Sequence, residues 1–436
     1  MTRIEEIAAQ LAGYDPKALG VEGVQSFLAQ LVQPVVVTQR EEAALFDALD
    51  RVLAEDIVSP FSVPPHDNSA MDGFAFDGGV LESAAPDADI ELRVIATALA
   101  GASWRGTVGA GEALKIMTGA VMPAGLDTVI PQEFCSVEGD RVRFPAKALR
   151  RGDNRRLAGE DLRQGEPALR RGDRFTPAAL GMAGSLGLPR VPVLRRLRVA
   201  YFSTGDEILS VGEAPREGAV FDSNRYTVFG LLKRLGCEVV DLGLVRDDPA
   251  ALQATLQRAA NEADAIITSG GVSVGEADHT RAVMQRLGDM AFWRVAMRPG
   301  RPMAVGLIPK QDPASHPAVL FGLPGNPVAV MVTFLAFVRP ALLRLMGCNE
   351  AGSAPAPLLR ARSTMAIRKK PGRTEYQRGR VTMVPGALPE VRIAGNQGSG
   401  VLSSMVEANG LVVLHHGQGS VAPGEEVDVM MFEGAL

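Results

Sequence analysis

Four stretches of the chain between them supply the glycine, hydroxyl and carboxylate groups that a phosphate and metal site requires. They are Ser203-Thr204-Gly205-Asp206-Glu207, Asp247-Asp248, the run SGGVSVGEAD at 269–278, and Pro324-Gly325-Asn326-Pro327. Gly270, Gly271 and Gly275 let backbone N–H groups approach an anion, and a helix starting after them adds its positive end. Taken alone, such a loop also reads as a tight turn between a strand and a helix. Carboxylates repel phosphates unless a cation lies between them, so Glu207, Asp247 and Asp278 beside this loop point to Mg²⁺, which takes one or two carboxylates plus phosphate oxygens. Asp248 and Asp278 each precede an expected helix, so capping competes for both.

A second anion is suggested by the arginines. Arg294, Arg298 and Arg301 fall within eight residues around Pro299-Gly300, and a guanidinium fork suits a tetrahedral oxyanion; a solvated basic face is the alternative. Lys369, Lys370, Arg373, Arg378 and Arg380 form another basic group, followed by Asn396-Gln397-Gly398-Ser399. One further cluster, Asn68-Ser69-Ala70-Met71-Asp72-Gly73, has neither helical nor strand periodicity, and its Asx and Ser side chains also suit a turn. His66 has no nearby nucleophile or metal partner and receives no role.

Alternating strands and helices must hold the glycine loop. Strands are expected at 198–205, 237–245, 264–271, 291–297, 302–308 and 318–323, with helices at 224–235, 279–287 and 328–345 and another capped by Asp248. Gly236 and Gly288 stop two of them, and Pro249 suits a first helical position. This pattern predicts a doubly wound, mostly parallel α/β sheet whose ligands sit beyond the carboxyl ends of the strands. Ahead of it, Val21, Val24, Phe27, Leu28, Leu31 and Val32 recur at helical spacing. A second helix is expected from Thr38, with Leu45, Leu49, Val52 and Leu53 on its apolar face. Short strands at 92–99, 113–117, 128–130 and 141–144 predict a small β domain, and after the SAPAP linker at 353–357 a second β module follows. LRRGDN at 149–154 and LRRGDR at 169–174 echo one another inside a basic, turn-rich stretch.

Composition narrows the classes. The chain has 436 residues, 46% of them hydrophobic, enough for about three cores at about 150 residues each and too many for disorder. A net charge of −5 excludes a generic nucleic-acid or membrane-surface binder, so any anion site must be local. Three scattered cysteines and five histidines give neither a disulfide framework nor a zinc cluster. No secretory signal opens the chain, and a cytoplasmic protein without a membrane span is expected.

The strings NSAMDGFA (68–75), STGDE (203–207), SGGVSVGEAD (269–278), MRPGRP (297–302) and GLPGNP (322–327) together resemble the molybdopterin molybdenumtransferases of the MoeA family, which includes the E domain of gephyrin. The resemblance runs from about residue 21 to the C-terminus. It implies an enzyme that takes adenylylated molybdopterin and molybdate, releases AMP and places molybdenum on the dithiolene sulfurs with Mg²⁺ present. It further implies an elongated homodimer with a shared site and contact with molybdopterin-synthesis enzymes and apo-molybdoenzymes, with no nucleic acid or membrane. Four units are then expected: 1–60 with 151–194 as a helical linker domain, 61–150 as a small β domain carrying NSAMDG, 195–352 as the molybdopterin-binding-like domain, and 353–436 as a β-barrel-like domain.

Carried onto matching positions, the resemblance gives Asp72, Thr118 and Asp161 to one subunit. Glu207, Asp247 and Asp278 of the other face them, Glu207 as a catalytic group and all three as metal ligands. Arg378 and Ser399 hold molybdate. Gly270, Gly271, Ser273, Pro324 and Pro327 shape the pterin phosphate pocket, with Arg294, Arg298 and Arg301 as further anion contacts. Arg298 and Arg301 stand where the bacterial family usually has lysine, which leaves the oxyanion contact open. Two other readings remain at this point: adenylyl transfer to molybdopterin by the same α/β fold, and a scaffold that binds receptor tails as gephyrin does.

Overall fold

A computed structural model of the chain describes residues 1–85, 87–271 and 278–433. At its centre is a six-stranded sheet in the order Glu238–Val245, Arg198–Thr204, Ala265–Ser269, Ala318–Leu323, Pro302–Ile308, Asp289–Arg294. The first four strands are parallel, and the last two run antiparallel as a closing edge. The central strands are buried from end to end, which is why their sequences are continuous apolar runs without alternation. Successive side chains still take opposite faces: Val199, Tyr201, Ile267 and Phe321 enter one core, and Ala200, Phe202, Ile266 and Leu320 the other.

Helices Pro249–Glu262 and Asp278–Leu287 cover the second face. The first is covered by Ser223–Leu235 and by the long helical run 327–345. That run is long and apolar enough to cross a bilayer, yet it is 78% buried inside the protein's own core. Asp248 accepts from the Ala251 N–H at 2.7 Å and Pro249 opens its helix, while Ser223–Leu235 ends at Gly236. The helices Arg3–Gln10 and Val21–Val32 bury Ile7, Phe27, Leu28 and Leu31 in the same α/β core.

The helix expected from Thr38 does not form. Arg40–Ala44 is a strand paired antiparallel with Arg190–Leu194. The apolar spacing misleads because its members do not share a face: Leu49 is exposed, Leu45 and Leu53 pack into a local core, and Val52 enters the α/β core instead. Tertiary pairing overrides a weak local preference here. Two more short ribbons, Ile57–Val58 with Pro167–Leu169 and Asn68–Ser69 with Arg155–Arg156, continue the ladder toward the NSAMDG cluster. The two RRGD echoes are equivalent turns, with Asp153 accepting from the Arg150 N–H at 2.7 Å and Asp173 from the Arg170 N–H at 2.8 Å.

A second six-stranded sheet contains Gly73–Phe76, Asp89–Ala98, Glu112–Ile116, Thr128–Pro131, Ser136–Glu138 and Arg141–Pro145. In the last module Thr374–Thr382, Glu390–Ile393, Leu358–Ser363, Glu426–Met431 and Gly410–Leu414 pair in sequence. Gly410–Leu414 also pairs back onto Thr374–Thr382, which closes a barrel and removes its edges. The short strand Met297–Arg298 joins this barrel beside Thr374–Glu375, so the arginine turn bridges the α/β domain and the barrel.

Candidate active site

A cavity of about 500 Å³ opens at the carboxyl ends of the parallel strands. Thr204, Asp247, Gly270 and Pro324, each just at or beyond the end of a different strand, meet there. Glu207, Gly271, Arg298, Arg301, Gln397 and Ser399 complete the groups relevant to chemistry. Eight residues expected from the sequence thus share one cavity: Glu207, Asp247, Gly270, Gly271, Arg298, Arg301, Pro324 and Ser399. Pro327 stands at the first position of the adjoining helix.

Glycine at 270 is required by geometry. Its φ is +89°, and a Cβ there would lie 2.5 Å from the Thr204 carbonyl oxygen. The Thr204 hydroxyl beside Gly270 and Gly271 is buried and has no hydrogen-bond partner among the described residues. Beneath the loop, the Tyr201 hydroxyl joins Ser203 at 2.9 Å and Ser269 at 2.7 Å. The Asn224 amide donates to the Gly325 carbonyl at 2.7 Å. Two strand ends and the Pro324–Pro327 turn are therefore fixed to one another from below.

The barrel side is organised by Arg378, whose side chain is almost wholly buried. Its Nε–H donates to Ser404 Oγ, and Nη2 donates to the carbonyls of Asn396 and Gly398, all at 3.0 Å. This shapes the turn that carries Gln397 and Ser399. Burial, and then the positive charge of Arg298, push the Arg378 pKa down to about 10. No carboxylate pairs with Arg378 among the described residues, and Arg298 is the neighbouring guanidinium that acts on it. Such a pair calls for an anion.

The carboxylates and glycines suit Mg²⁺ bound together with a phosphate ligand. Glu207 and Asp247 are hard oxygen donors at the mouth of the loop, and Mg²⁺ needs only one or two of these because phosphate and water fill its remaining positions. Among the described residues no group of three or more His, Cys, Asp or Glu is placed to hold an ion.

Three expected residues lie elsewhere in this chain. Asp72 Oδ1 accepts from both the backbone N–H and the hydroxyl of Thr118, each at 2.7 Å. These two bonds hold its carboxyl below the usual range. Both residues are exposed. Gly73 lets this loop enter its sheet, since a Cβ there would sit 2.0 Å from the Ile130 carbonyl oxygen. The segment with Asp161 runs beside the same loop, through Asp161 N–H to Val63 O at 3.1 Å and Ala70 N–H to Asn154 O at 2.9 Å. None of the three residues lines the cavity.

Arg294 is also absent from the lining; it is exposed at the end of the edge strand, where its N–H is bound to Pro16 O. Its side chain takes the solvent face because Trp293 and Val295 on either side take the core. Ser273 and the side chain of Asp278 lie outside the described residues. Thr204, Asn326 and Gln397 line the cavity without having been singled out, although each stands inside a motif that was; Leu252 and Thr280 carried no signal.

The chain matches three family descriptions in succession: "MoeA N-terminal region (domain I and II)" over 19–187, "Probable molybdopterin binding domain" over 200–344, and "MoeA C-terminal region (domain IV)" over 360–432. It is 39% identical to the molybdopterin molybdenumtransferase of Haemophilus influenzae over 92% of this chain and 95% of that one. With the same enzyme of a Nostoc species it shares 36% over 88% and 87%. A molybdopterin biosynthesis MoeA protein of Pyrococcus horikoshii has the same architecture, with a TM-score of 0.77 and 28% identity over 95% of this chain and all of that one. With this architecture, these relatives and the cavity at the strand ends, the chain belongs to the MoeA family of molybdopterin molybdenumtransferases.

Proposed function

We propose that this chain inserts molybdate into adenylylated molybdopterin and releases AMP, in a cytoplasmic setting that suits its three free cysteines. The observation that carries this reading is the composition of one cavity. A glycine loop and carboxylates at the strand ends face two arginines and Ser399 across about 500 Å³. The first group suits a phosphoanhydride, and the second suits a tetrahedral oxyanion.

Breaking the phosphoanhydride requires neutralised phosphoryl oxygens and an oxygen nucleophile in line with the leaving group. The backbone at Gly271 and the Thr204 hydroxyl, which has no partner among the described residues, stand where phosphate oxygens can be received, while the Gly270 N–H ties the loop to the Leu323 carbonyl. Glu207 and Asp247 would hold Mg²⁺, which when bound neutralises charge on those oxygens. Arg298, Arg301 and Ser399, with Arg378 behind their turn, orient molybdate. One of its oxygens attacks the pterin-side phosphorus as the bond to the AMP oxygen breaks. The two dithiolene thiols then displace that bridging oxygen from molybdenum, leaving it on the pterin phosphate and passing their protons to the oxygens released. The dithiolene sulfurs that receive molybdenum belong to the substrate, so the chain's thiols stay outside the chemistry. Burial pushes the Cys237 thiol up to about 12 and that of Cys348 to about 11, which leaves both inert.

A homodimer completes the site in this reading. Asp72, with Thr118 as its positioning residue, and Asp161 reach the cavity of the partner subunit from outside. Exposed Val220, Phe221, Tyr226 and Phe229 on the α/β domain supply apolar surface for a second copy. Adenylyl transfer by the α/β domain alone would leave Arg378, Ser399 and the Asp72 loop without a task. Incubating the purified chain with adenylylated molybdopterin and molybdate tests the reading: AMP is the expected product, and pyrophosphate formation from ATP would favour adenylyl transfer.

A further inference from the structure

Residues 3–19 run along the outer strand of the central sheet, Asp289–Arg294, and are tied to it at several points. The Ile4 N–H, in the first turn of helix Arg3–Gln10, donates to Asp289 Oδ2 at 2.9 Å. The indole N–H of buried Trp293 donates to the Tyr14 hydroxyl at 2.9 Å. Phe27 packs edge-on against Trp293, with ring centroids 4.9 Å apart. Ile4, Ile7 and Leu19 are buried in the same core. A sheet edge left bare would expose unpaired backbone groups, and this strap covers it.

The ties continue beyond the strand into the arginine turn. The Arg294 N–H donates to Pro16 O at 2.8 Å, and the Ala296 N–H donates to Leu19 O at 2.9 Å. Between them the Val295 N–H turns the other way, to Arg301 O at 2.7 Å, and closes the loop that carries Arg298 and Arg301. From the barrel, the Thr374 N–H donates to Ala296 O at 2.9 Å. Ala296 is therefore gripped from the strap on one side and from the barrel on the other, two residues ahead of Arg298.

We infer that residues 3–19 are a positioning element for oxyanion binding: they fix the backbone of the arginine turn so that Arg298 and Arg301 meet molybdate without first having to be ordered. This inference rests on the oxyanion reading of the cavity. The two arginines are exposed and carry large rotamer entropy, so a backbone held in advance lowers the ordering cost of binding. No strap residue lines the cavity, and its action is through the turn alone.

Point variants in the full chain test it. Asp289→Ala removes the acceptor of the Ile4 N–H, Asp289→Asn keeps a carbonyl there, and Tyr14→Phe leaves the Trp293 N–H unpartnered. In the Tyr14→Phe/Asp289→Ala chain, amide hydrogen exchange at Arg294 and Ala296 should quicken. The molybdate concentration for half-maximal AMP release should rise about three- to tenfold, the loss of one or two hydrogen bonds' effect, while half-saturation by the adenylylated pterin stays unchanged. Asp289→Asn should behave as wild type. Should the double variant fail to fold, Tyr14→Phe alone carries the same two readouts. Quickened exchange with an unaltered molybdate requirement overturns the inference, as does unaltered exchange. Arg298→Ala in the intact chain separates the failures: an unchanged molybdate requirement there removes the oxyanion reading itself, whatever the exchange at Ala296 reports.

Discussion

The backbone N–H of Val328 donates to the carbonyl oxygen of Ser399 at 3.1 Å. The first turn of a helix in the α/β domain, whose N–H groups have no intrahelical partner, is thus satisfied by the turn that Arg378 shapes in the barrel. The helix holds the Ser399 carbonyl and Arg378 holds that of Gly398 just before it, so the two halves of the cavity are set relative to one another.

Arg378→Ala should loosen that turn and remove a buried positive charge beside Arg298. Arg378 does not line the cavity and acts through its three hydrogen bonds to the turn that carries Ser399. A hydrogen bond from a charged group contributes about 1.5–3 kcal/mol, so loss of the turn's fixed shape should raise the molybdate concentration for half-maximal rate roughly ten- to a hundredfold. Affinity for the adenylylated pterin should hardly change. Titrating both ligands checks the assignment, and loss of pterin binding with normal molybdate dependence would reverse it.

Asp72→Asn should leave folding and pterin binding near wild type and lower turnover by ~10²-fold or more. Thr118→Val removes the hydroxyl donor but keeps the backbone N–H, so a smaller loss is expected. Because Thr118 lowers the Asp72 pKa, the acid limb of the rate profile should move to higher pH in Thr118→Val. An unmoved limb would remove Thr118 from the positioning of Asp72.

On the proposed homodimer with a shared site, mixing inactive Asp72→Asn chains with inactive Glu207→Gln chains should restore activity, because each mixed dimer would contain one intact site. With subunit exchange verified by mass, a mixture that stays inactive would place all the catalytic groups in one chain.

Asp264 gives a stability prediction with a definite sign. Burial alone would raise its pKa, but the Arg195 fork at 2.7 and 2.8 Å and the Arg198 N–H at 2.9 Å outweigh burial and lower it. A depressed carboxyl pKa contributes stability that is complete above its unfolded value of about 3.9 and is lost as pH falls through the folded value. Asp264→Asn should therefore cost about 2–4 kcal/mol at neutral pH and flatten the stability curve below about pH 4. Denaturant midpoints at several pH values measure both effects.

Where local chemistry decides, the sequence could be read directly. Asp248 with Pro249, Gly236, and the fully apolar runs 302–308 and 318–323 specify their elements without help from the rest of the chain. The strand at Arg40–Ala44 could not be read because its partner, Arg190–Leu194, lies about 150 positions away and alone determines which side chains face inward. The cavity was legible as strand ends rich in glycine and carboxylate. That Arg378 turns its guanidinium onto carbonyls at 396 and 398 depends on barrel closure, and that Arg294 faces solvent depends on its neighbours' burial; neither has a signature in residue spacing.

If one cavity joins an adenylylated pterin to molybdate, turnover must need both ligands together. The direct measurement is AMP release by the purified chain from adenylylated molybdopterin, with molybdate and Mg²⁺ each present or absent. AMP should appear at full rate only when both are supplied, and Arg378→Ala should shift the molybdate requirement alone. AMP release at an undiminished rate without molybdate, or none with both present, would contradict the account.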